Sequence, residues 1–145
     1  MKLWTIVLVW TLSCVILPIL GSEIDTRVLV LFILQQALFV TALTIPFDIR
    51  DLPVDWPEQR TIPQVFGVSK ARNLALVFLL LSTVASISLF LLKEIELNLI
   101  LIHMGVLLLS GGLISKVKTK RGELYFSIGI DGMLILQGVA FFLAK

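Results

Sequence analysis

Three aspartates, Asp48, Asp51 and Asp55, recur at positions i, i+3 and i+7 and carry the clearest chemical signal in the chain. On a continuing helix this spacing places the three carboxylates on one face. Carboxylates one turn apart repel each other unless a cation lies between them or water solvates them. Mg²⁺ binds one or two carboxylates and completes its octahedron with water and phosphate oxygens. The spacing therefore predicts Mg²⁺ bound to these aspartates and bridging them to a diphosphate. A solvated acidic loop that caps a helix is the alternative.

Three basic residues, Arg60, Lys70 and Arg72, follow the aspartates in the same polar stretch. Cationic side chains neutralise the phosphate charge that a metal ion leaves uncompensated, and arginine grips phosphate with two parallel hydrogen bonds. We therefore expect these three residues to bind the diphosphate. Pro53 precedes the last aspartate and is expected to end the helix there, so the first two aspartates form the firmer metal-binding pair.

A further acidic residue, Asp131, lies about a third of the way into an apolar run. A carboxylate within a membrane span costs roughly 2.5–3.5 kcal/mol on insertion scales, so it is expected to face a cavity or a partner. Gly129 and Gly132 flank it and allow another helix to approach closely. Asp131 either lines the substrate cavity or pairs with a cation of the basic turn at 116–123. A hydrogen-bonded packing role is the alternative.

Other polar residues within the apolar runs are expected to join helices. His103 is predicted to form a hydrogen bond with a neighbouring helix. Gln35 and Gln36 either bond across helices or face the same cavity as Asp131, and the sequence leaves both options open. Such bonds between helices are the usual role of polar side chains in lipid.

The elements that position these residues are predicted to be membrane-spanning helices. Of the 145 residues, 58% are hydrophobic and 15% are charged, and the mean hydropathy is +1.03. Soluble domains are closer to half apolar and a quarter charged. The net charge of +2 gives no indication of nucleic-acid binding, and the single cysteine excludes an internal disulfide. We predict one all-α domain, 1–145, that forms a polytopic transmembrane helix bundle. Its five spans lie at about 3–20, 28–47, 73–92, 97–115 and 124–144, with a long polar loop at 48–72.

The basic residues predict the orientation of these spans, because cytoplasmic loops are enriched in lysine and arginine. The first span is longer than the apolar core of a signal peptide and is expected to be retained. A cytoplasmic N-terminus puts three basic residues on the far side, namely Arg27, Lys93 and Lys145. It puts nine on the cytoplasmic side, namely Lys2, Arg50, Arg60, Lys70, Arg72, Lys116, Lys118, Lys120 and Arg121. We therefore expect a multi-pass protein of the cell inner membrane with the loop at 48–72 in the cytoplasm.

The run from Asp48 to Gly67, DIRDLPVDWPEQRTIPQVFG, combines a D-x-x-D-x-x-x-D pattern with R-T-I-P and a closing glycine. It resembles the second aspartate-rich motif of the UbiA superfamily of intramembrane prenyltransferases. In that family the motif follows the sixth of nine transmembrane helices. Two helices up to the motif and three beyond it make this chain similar to helices five to nine of the family.

The resemblance implies a prenyltransferase that moves an isoprenoid chain from a polyprenyl diphosphate to an acceptor at the cytoplasmic face. It implies Mg²⁺ as cofactor, Asp48, Asp51 and Asp55 as metal and diphosphate ligands, and Arg60 as a phosphate contact. The family's first motif, an N-D-x-x-D-x-x-x-D pattern, has no counterpart in this sequence. A separate N-terminal half is therefore the expected partner, with the chain as a truncated or split product. A homo-oligomer is a further option.

Two other functions fit the same residues. A non-catalytic membrane protein would bind an isoprenoid diphosphate or another membrane subunit through the acidic loop, and the missing first motif favours this alternative. A small cation carrier would use Asp131 within its span. Turnover, binding without turnover, and ion flux across liposomes distinguish the three functions.

Overall fold

The computed structural model describes residues 2–119 and 122–143, and over those ranges it contains helices joined by short turns and no strands. Lys120, Arg121, Ala144 and Lys145, which enter the predicted orientation and the last predicted span, lie outside the described residues, as does Met1. The α-helices are α1 (Lys2–Thr11), α2 (Leu17–Ile19), α3 (Thr26–Asp51), α4 (Ile62–Phe66), α5 (Val68–Leu91), α6 (Leu97–Ser115) and α7 (Asp131–Leu143). A π-helical turn, Leu12–Ile16, joins α1 to α2, and a second, Tyr125–Ile130, leads into α7.

Three helices, α3, α5 and α6, are long and apolar enough to cross a membrane. Two further apolar helical stretches, Leu3–Ile19 and Tyr125–Val139, are shorter. The prediction of an all-helical chain is confirmed for the described residues, and the length and composition of these three helices support its predicted membrane character. At roughly 1.5 Å per residue, each of the three reaches close to or beyond the roughly 30 Å of a hydrocarbon core.

The stretch predicted as a polar loop is partly helical. Helix α3 continues to Asp51, and the segment beyond it contains a 3₁₀ turn at Pro57–Gln59 and helix α4 before α5 begins at Val68. Hydropathy marks where the apolar residues end, whereas a helix continues until its backbone hydrogen bonding is interrupted. Pro53 interrupts it after α3, because proline has no N–H and its ring clashes with the carbonyl one turn back. The predicted helix end before Asp55 is therefore confirmed.

Helix α3 is the centre of the bundle and packs most extensively against α5. The α5 face towards it consists of small residues, including Ala71, Ala75, Ser82 and Ser86, each of which is fully buried. Small side chains let helix backbones approach closely in lipid, so these residues allow α3 and α5 to pack closely together. Helix α1 packs on α3, α6 packs on α5, and α7 packs on α6.

Hydrogen bonds between polar side chains join the helices inside the bundle. The Gln35 side-chain amide lies 2.9 Å from Nε2 of His103 and links α3 to α6. The Gln137 amide donates to Oε1 of Gln36 at 3.2 Å and links α7 to α3. Ser82 Oγ donates to the Gln35 carbonyl at 3.0 Å and links α5 to α3. The predicted bond from His103 to a neighbouring helix is confirmed. Bonds of this kind contribute about 0.6 kcal/mol on average between membrane helices.

Neighbouring glycines on α6 provide a test of this packing. A Cβ added to Gly111 would lie 3.3 Å from Leu79 Cδ2 of α5, whereas one added to Gly112 meets nothing within 4 Å. We expect Gly111→Val to lower the free energy of unfolding by about 1–3 kcal/mol, because its branched side chain overpacks the contact between the two helices. Gly112→Val is the matched control and is expected to leave stability unchanged. Thermal unfolding in detergent, followed by circular dichroism, measures both, and equal melting of the two variants would contradict the packing.

Candidate functional site

Asp48 lies on the last turn of α3 and is only 5% exposed. It continues a stripe at four-residue spacing that includes Val40 and Thr44, so these side chains share one face of the helix. Asp48 lines two cavities, one lined mainly by apolar side chains and the other lined by both polar and apolar side chains. Asp48 is therefore the acidic residue that both cavities have in common.

The first cavity, cavity A, has a volume of about 500 Å³ and lies between α1, α3 and α7. Its charged residues are Asp48, Arg50 and Asp131, and its other walls are almost entirely apolar. Apolar side chains from all three helices line it, among them Ile6, Trp10, Leu43, Phe47, Leu134 and Ile135. A volume of this size falls within the range of small-molecule sites, roughly 300–1,000 Å³. The cavity thus combines a charged corner with an apolar chamber.

The second cavity, cavity B, has a volume of about 390 Å³ and lies between the start of α1 and the segment after α3. Asp48 and Arg60 line it together with Trp4, Gln59 and Thr61. Arg60 has a φ of +48°, in the left-handed region that non-glycine residues adopt mainly in turns. That turn leads into α4, where the Thr61 N–H donates to Oε1 of Gln64 at 2.9 Å. The cavity therefore brings a phosphate-binding type of side chain next to the acidic one.

Arg50 is the charged residue at this site that the sequence analysis did not select. Its Nε donates to Asp51 Oδ1 at 2.7 Å, and its guanidinium lies 5.1 Å from the ring centroid of Phe47 and 5.4 Å from that of Phe126. Asp131 also acts on it electrostatically. Stacking on aromatic faces orients a guanidinium while leaving its edge available for anions. The position of Arg50 inside the aspartate motif was a signal that could have identified it.

The predicted site residues fall into two groups. The structure brings Asp48 and Arg60 together at cavity B and Asp48 and Asp131 together at cavity A. Of the two roles predicted for Asp131, the cavity role agrees with this placement, and Arg50 is a cation that acts on it. Neither cavity includes Asp51 or Asp55. Asp55 is half-buried in the turn after α3, where its N–H donates to the Asp51 carbonyl at 2.9 Å.

The remaining predicted residues lie on the first turns of α5. Lys70 is exposed, and Arg72 donates from Nη1 to the Ser115 carbonyl at 3.1 Å, near the C-terminus of α6. A cation at this position compensates the carbonyls that remain unpaired at a helix end. Cavities A and B include neither residue. The structure therefore does not bring these two cations together with Asp48.

The metal-binding capacity of the site depends on what a ligand contributes. Within residues 2–119 and 122–143, no three histidine, cysteine, aspartate or glutamate side chains are grouped to hold a metal ion. Mg²⁺ needs only one or two carboxylates when phosphate oxygens and water complete its octahedron. Asp48 is the carboxylate best placed for this, because it lines both cavities. Asp51 would join it only by exchanging its ion pair with Arg50.

This arrangement suits an amphiphile with an anionic head. The apolar chamber of cavity A would accept a hydrocarbon chain, while Asp48, Arg50 and Arg60 surround the position of the head. Comparison of the chain with protein-family models, with curated proteins and with solved structures finds no match.

Proposed function

We propose that this protein is part of a UbiA-like prenyltransferase, which transfers an isoprenoid chain from a polyprenyl diphosphate to an acceptor at the cytoplasmic membrane face. The observation that supports the proposal is the position of Asp48 between the apolar chamber of cavity A and cavity B, which contains Arg60. An isoprenoid diphosphate has the same division between a long apolar chain and a compact anionic head.

The head of the substrate is expected to lie at the junction of the two cavities. Asp48 would hold Mg²⁺, and Arg60 would contact the phosphate from cavity B. Arg50, held by Phe47 and Phe126, provides a second cation from cavity A. When bound, Mg²⁺ stabilises the negative charge that develops on the leaving diphosphate. The arginines spread the remaining charge and hold the diphosphate in place.

The proposal also includes the membrane arrangement. Besides α3, α5 and α6, the apolar stretches Leu3–Ile19 and Tyr125–Val139 serve as shorter spans and bring the total to about five. The distribution of basic residues supports a cytoplasmic N-terminus, and cavity B would then lie on the cytoplasmic side. The expected location is the cell inner membrane.

A complete active site needs a second cluster of carboxylates. The described residues supply Asp48 and Asp131 at cavity A but no group of three acids. A separate membrane subunit with its own aspartate-rich motif is therefore the proposed partner, and it would face the open side of the cavity between α1 and α7. A second copy of the chain is the simpler option for the same role.

The enzymatic proposal is tested in membranes of the source cells, where any partner is present. Membranes from cells that express the chain are expected to transfer label from radioactive geranylgeranyl diphosphate to a lipid product, with release of pyrophosphate and dependence on Mg²⁺. Deleting the gene should abolish this transfer, and restoring the full chain should recover it. If the deletion leaves both label transfer and pyrophosphate release unchanged, the enzymatic proposal is wrong.

A non-catalytic function is the second candidate, and the pairing of Asp51 with Arg50 favours it, because this pairing uses one of the three motif carboxylates. In that case the chain binds an isoprenoid diphosphate, or a subunit that carries one, without breaking the carbon–oxygen bond. The same membranes then retain geranylgeranyl diphosphate in a Mg²⁺-dependent complex and release no pyrophosphate above the deletion strain.

A further inference from the structure

A third cavity, cavity C, has a volume of about 600 Å³ and lies in the half of the bundle away from Asp48. The first helical segment, α3, α5, α6 and α7 line it, together with Ile24 and Ile95 from the turns at that end. Among the lining residues it shares only Trp10 and Leu134 with cavity A. The two cavities are therefore adjacent, but different polar residues line each of them. The proposed prenyl transfer does not use it.

Three glutamines form most of the polar wall of cavity C, together with Ser86 and His103. Gln35, Gln36 and Gln137 line it and are only 6%, 5% and 4% exposed. Each side-chain amide has one oxygen and one nitrogen, and only one of the two atoms forms a hydrogen bond. The Gln35 amide bonds with His103, and the Gln137 amide donates to Oε1 of Gln36. Among the described residues, the opposite ends make no hydrogen bond. Whichever way each amide is turned, every one of them keeps one unmatched polar atom.

Amide ends that open into a mainly apolar chamber indicate a ligand there. A buried polar group without a hydrogen bond costs free energy, roughly 1–3 kcal/mol by mutational measurements, which an occupant with complementary groups recovers. A few water molecules satisfy such groups in a small polar cavity. Cavity C is much larger than a few waters require, and most of its wall is apolar. An occupant that fills the chamber must therefore be largely apolar with one polar end.

The polar end of this occupant must be uncharged. Among the residues that the structure describes, no aspartate, glutamate, lysine or arginine lines cavity C, in contrast to cavities A and B. A charged group buried without an opposite charge is strongly unfavourable. A hydroxyl group both donates and accepts hydrogen bonds and so matches the mixed amide ends of the glutamines. An alcohol on an apolar body is the chemistry that fits.

The cavity is reached from the lipid side of the bundle. Cys14 and Pro18 of the first helical segment and Gly138 of α7 line it and are exposed. Helices α1 and α7 both border cavity A and cavity C, and in a membrane the space outside this seam is filled by lipid or a partner. A molecule dissolved in the bilayer would enter between these two helices without crossing the aqueous phase.

We propose that cavity C is a binding site for a neutral, lipid-soluble alcohol, with its hydroxyl group on the glutamine wall and its apolar body towards Trp10 and Leu134. The site is independent of the proposed prenyl transfer, because it shares no charged residue with cavities A and B.

Photolabelling of the full chain in nanodiscs tests the site. The probe is a ten-carbon primary alcohol that carries an aliphatic diazirine, and mass spectrometry locates the labelled residues. We expect saturable labelling of the segments around Cys14, Gln36 and Gln137. Excess decanol should compete at least tenfold better than decanoate of the same chain length, because the carboxylate has no counter-charge in the cavity. Labelling that does not saturate, or equal competition by decanoate, would overturn the proposal.

Two glycines of α7 provide matched variants. An added Cβ meets nothing within 4 Å at Gly138 or at Gly132, so a larger side chain can begin at both positions without a clash. Gly138→Leu fills the wall of cavity C and is expected to reduce saturable labelling at least fivefold, whereas Gly132→Leu, which does not line it, retains wild-type labelling. Gln36→Leu should lower the affinity for the alcohol about tenfold, because the hydrogen bond from the glutamine is lost. Asp48→Asn should leave labelling intact even if the proposed prenyl transfer fails. Wild-type labelling in Gly138→Leu would show that the probe lies elsewhere.

Discussion

Asp48→Asn is expected to weaken Mg²⁺-dependent binding of geranylgeranyl diphosphate to the full chain by about tenfold to a hundredfold. Asparagine keeps the shape of the side chain but removes the charge that holds the metal ion, and Asp48 is the carboxylate that lines both cavities. Binding is measured in nanodiscs by quenching of tryptophan fluorescence, since Trp10 lines cavity A and Trp4 lines cavity B. The affinity of the wild-type protein for geranylgeranyl diphosphate should fall by a similar factor when EDTA removes Mg²⁺.

The control for this variant is Asp25→Asn. Asp25 caps the opposite end of α3, where its side chain accepts from the Arg27 N–H at 2.6 Å, and it is exposed. Asparagine caps helices as well as aspartate does, so stability and diphosphate binding should both stay at the wild-type level. Gel filtration and circular dichroism exclude unfolding of Asp48→Asn as a trivial cause. Equal affinity in the two variants, or binding that ignores EDTA, would refute the role of Asp48 as a metal ligand.

Phe126→Ala is expected to produce the largest loss of stability, about 3–5 kcal/mol. Phe126 is fully buried within the apolar core, where its ring contacts Phe47 at 5.8 Å between centroids. Truncation leaves a cavity in a closely packed interior and removes one of the two rings over which Arg50 lies. Thermal or denaturant unfolding in detergent measures the loss. Affinity for the isoprenoid diphosphate should also fall, because Arg50 becomes less well ordered.

The matched control is Ile128→Ala in the same π-helical turn. Ile128 is 69% exposed and faces outward, so its truncation removes little packing and should change the free energy of unfolding by less than about 0.5 kcal/mol. If both variants lose the same stability, the two side chains are equally buried in the assembled protein. In that case a partner covers the outer face of the Tyr125–Ile130 turn, and the packing of Phe126 is not the dominant contribution.

The outline of the helices was accessible from the amino-acid sequence. Apolar runs of about 20 residues predicted α3, α5 and α6, because in lipid every backbone N–H and C=O has to be paired within a helix. Pro53 predicted the end of α3, because the effect of proline on a helix is local. The hydrogen bond of His103 to another helix was predicted because a lone imidazole in an apolar helix needs a partner. Each of these expectations follows from neighbours within a few residues along the chain.

The composition of the candidate site was only partly accessible. The aspartate spacing selected Asp48, but not the pairing of Asp51 with Arg50, because the sequence alone cannot show which of two adjacent charges turns towards the other. Arg72 looked like a phosphate ligand by its proximity along the chain, yet its guanidinium reaches the Ser115 carbonyl of α6. Residues close together in a polar segment diverge once successive helices point their side chains in different directions.

Tertiary packing decided which distant residues share a chamber. Asp131 of α7 and Asp48 of α3 both line cavity A because α7 packs on α6, and α6 in turn contacts α3 and α5. No local sequence pattern encodes that position of α7. The glutamine wall of cavity C arises in the same way from Gln36 of α3 and Gln137 of α7. Local backbone preference and hydropathy determine where helices form. Their mutual arrangement depends on how the side chains of several helices interlock, and that arrangement creates the cavities on which both proposals depend.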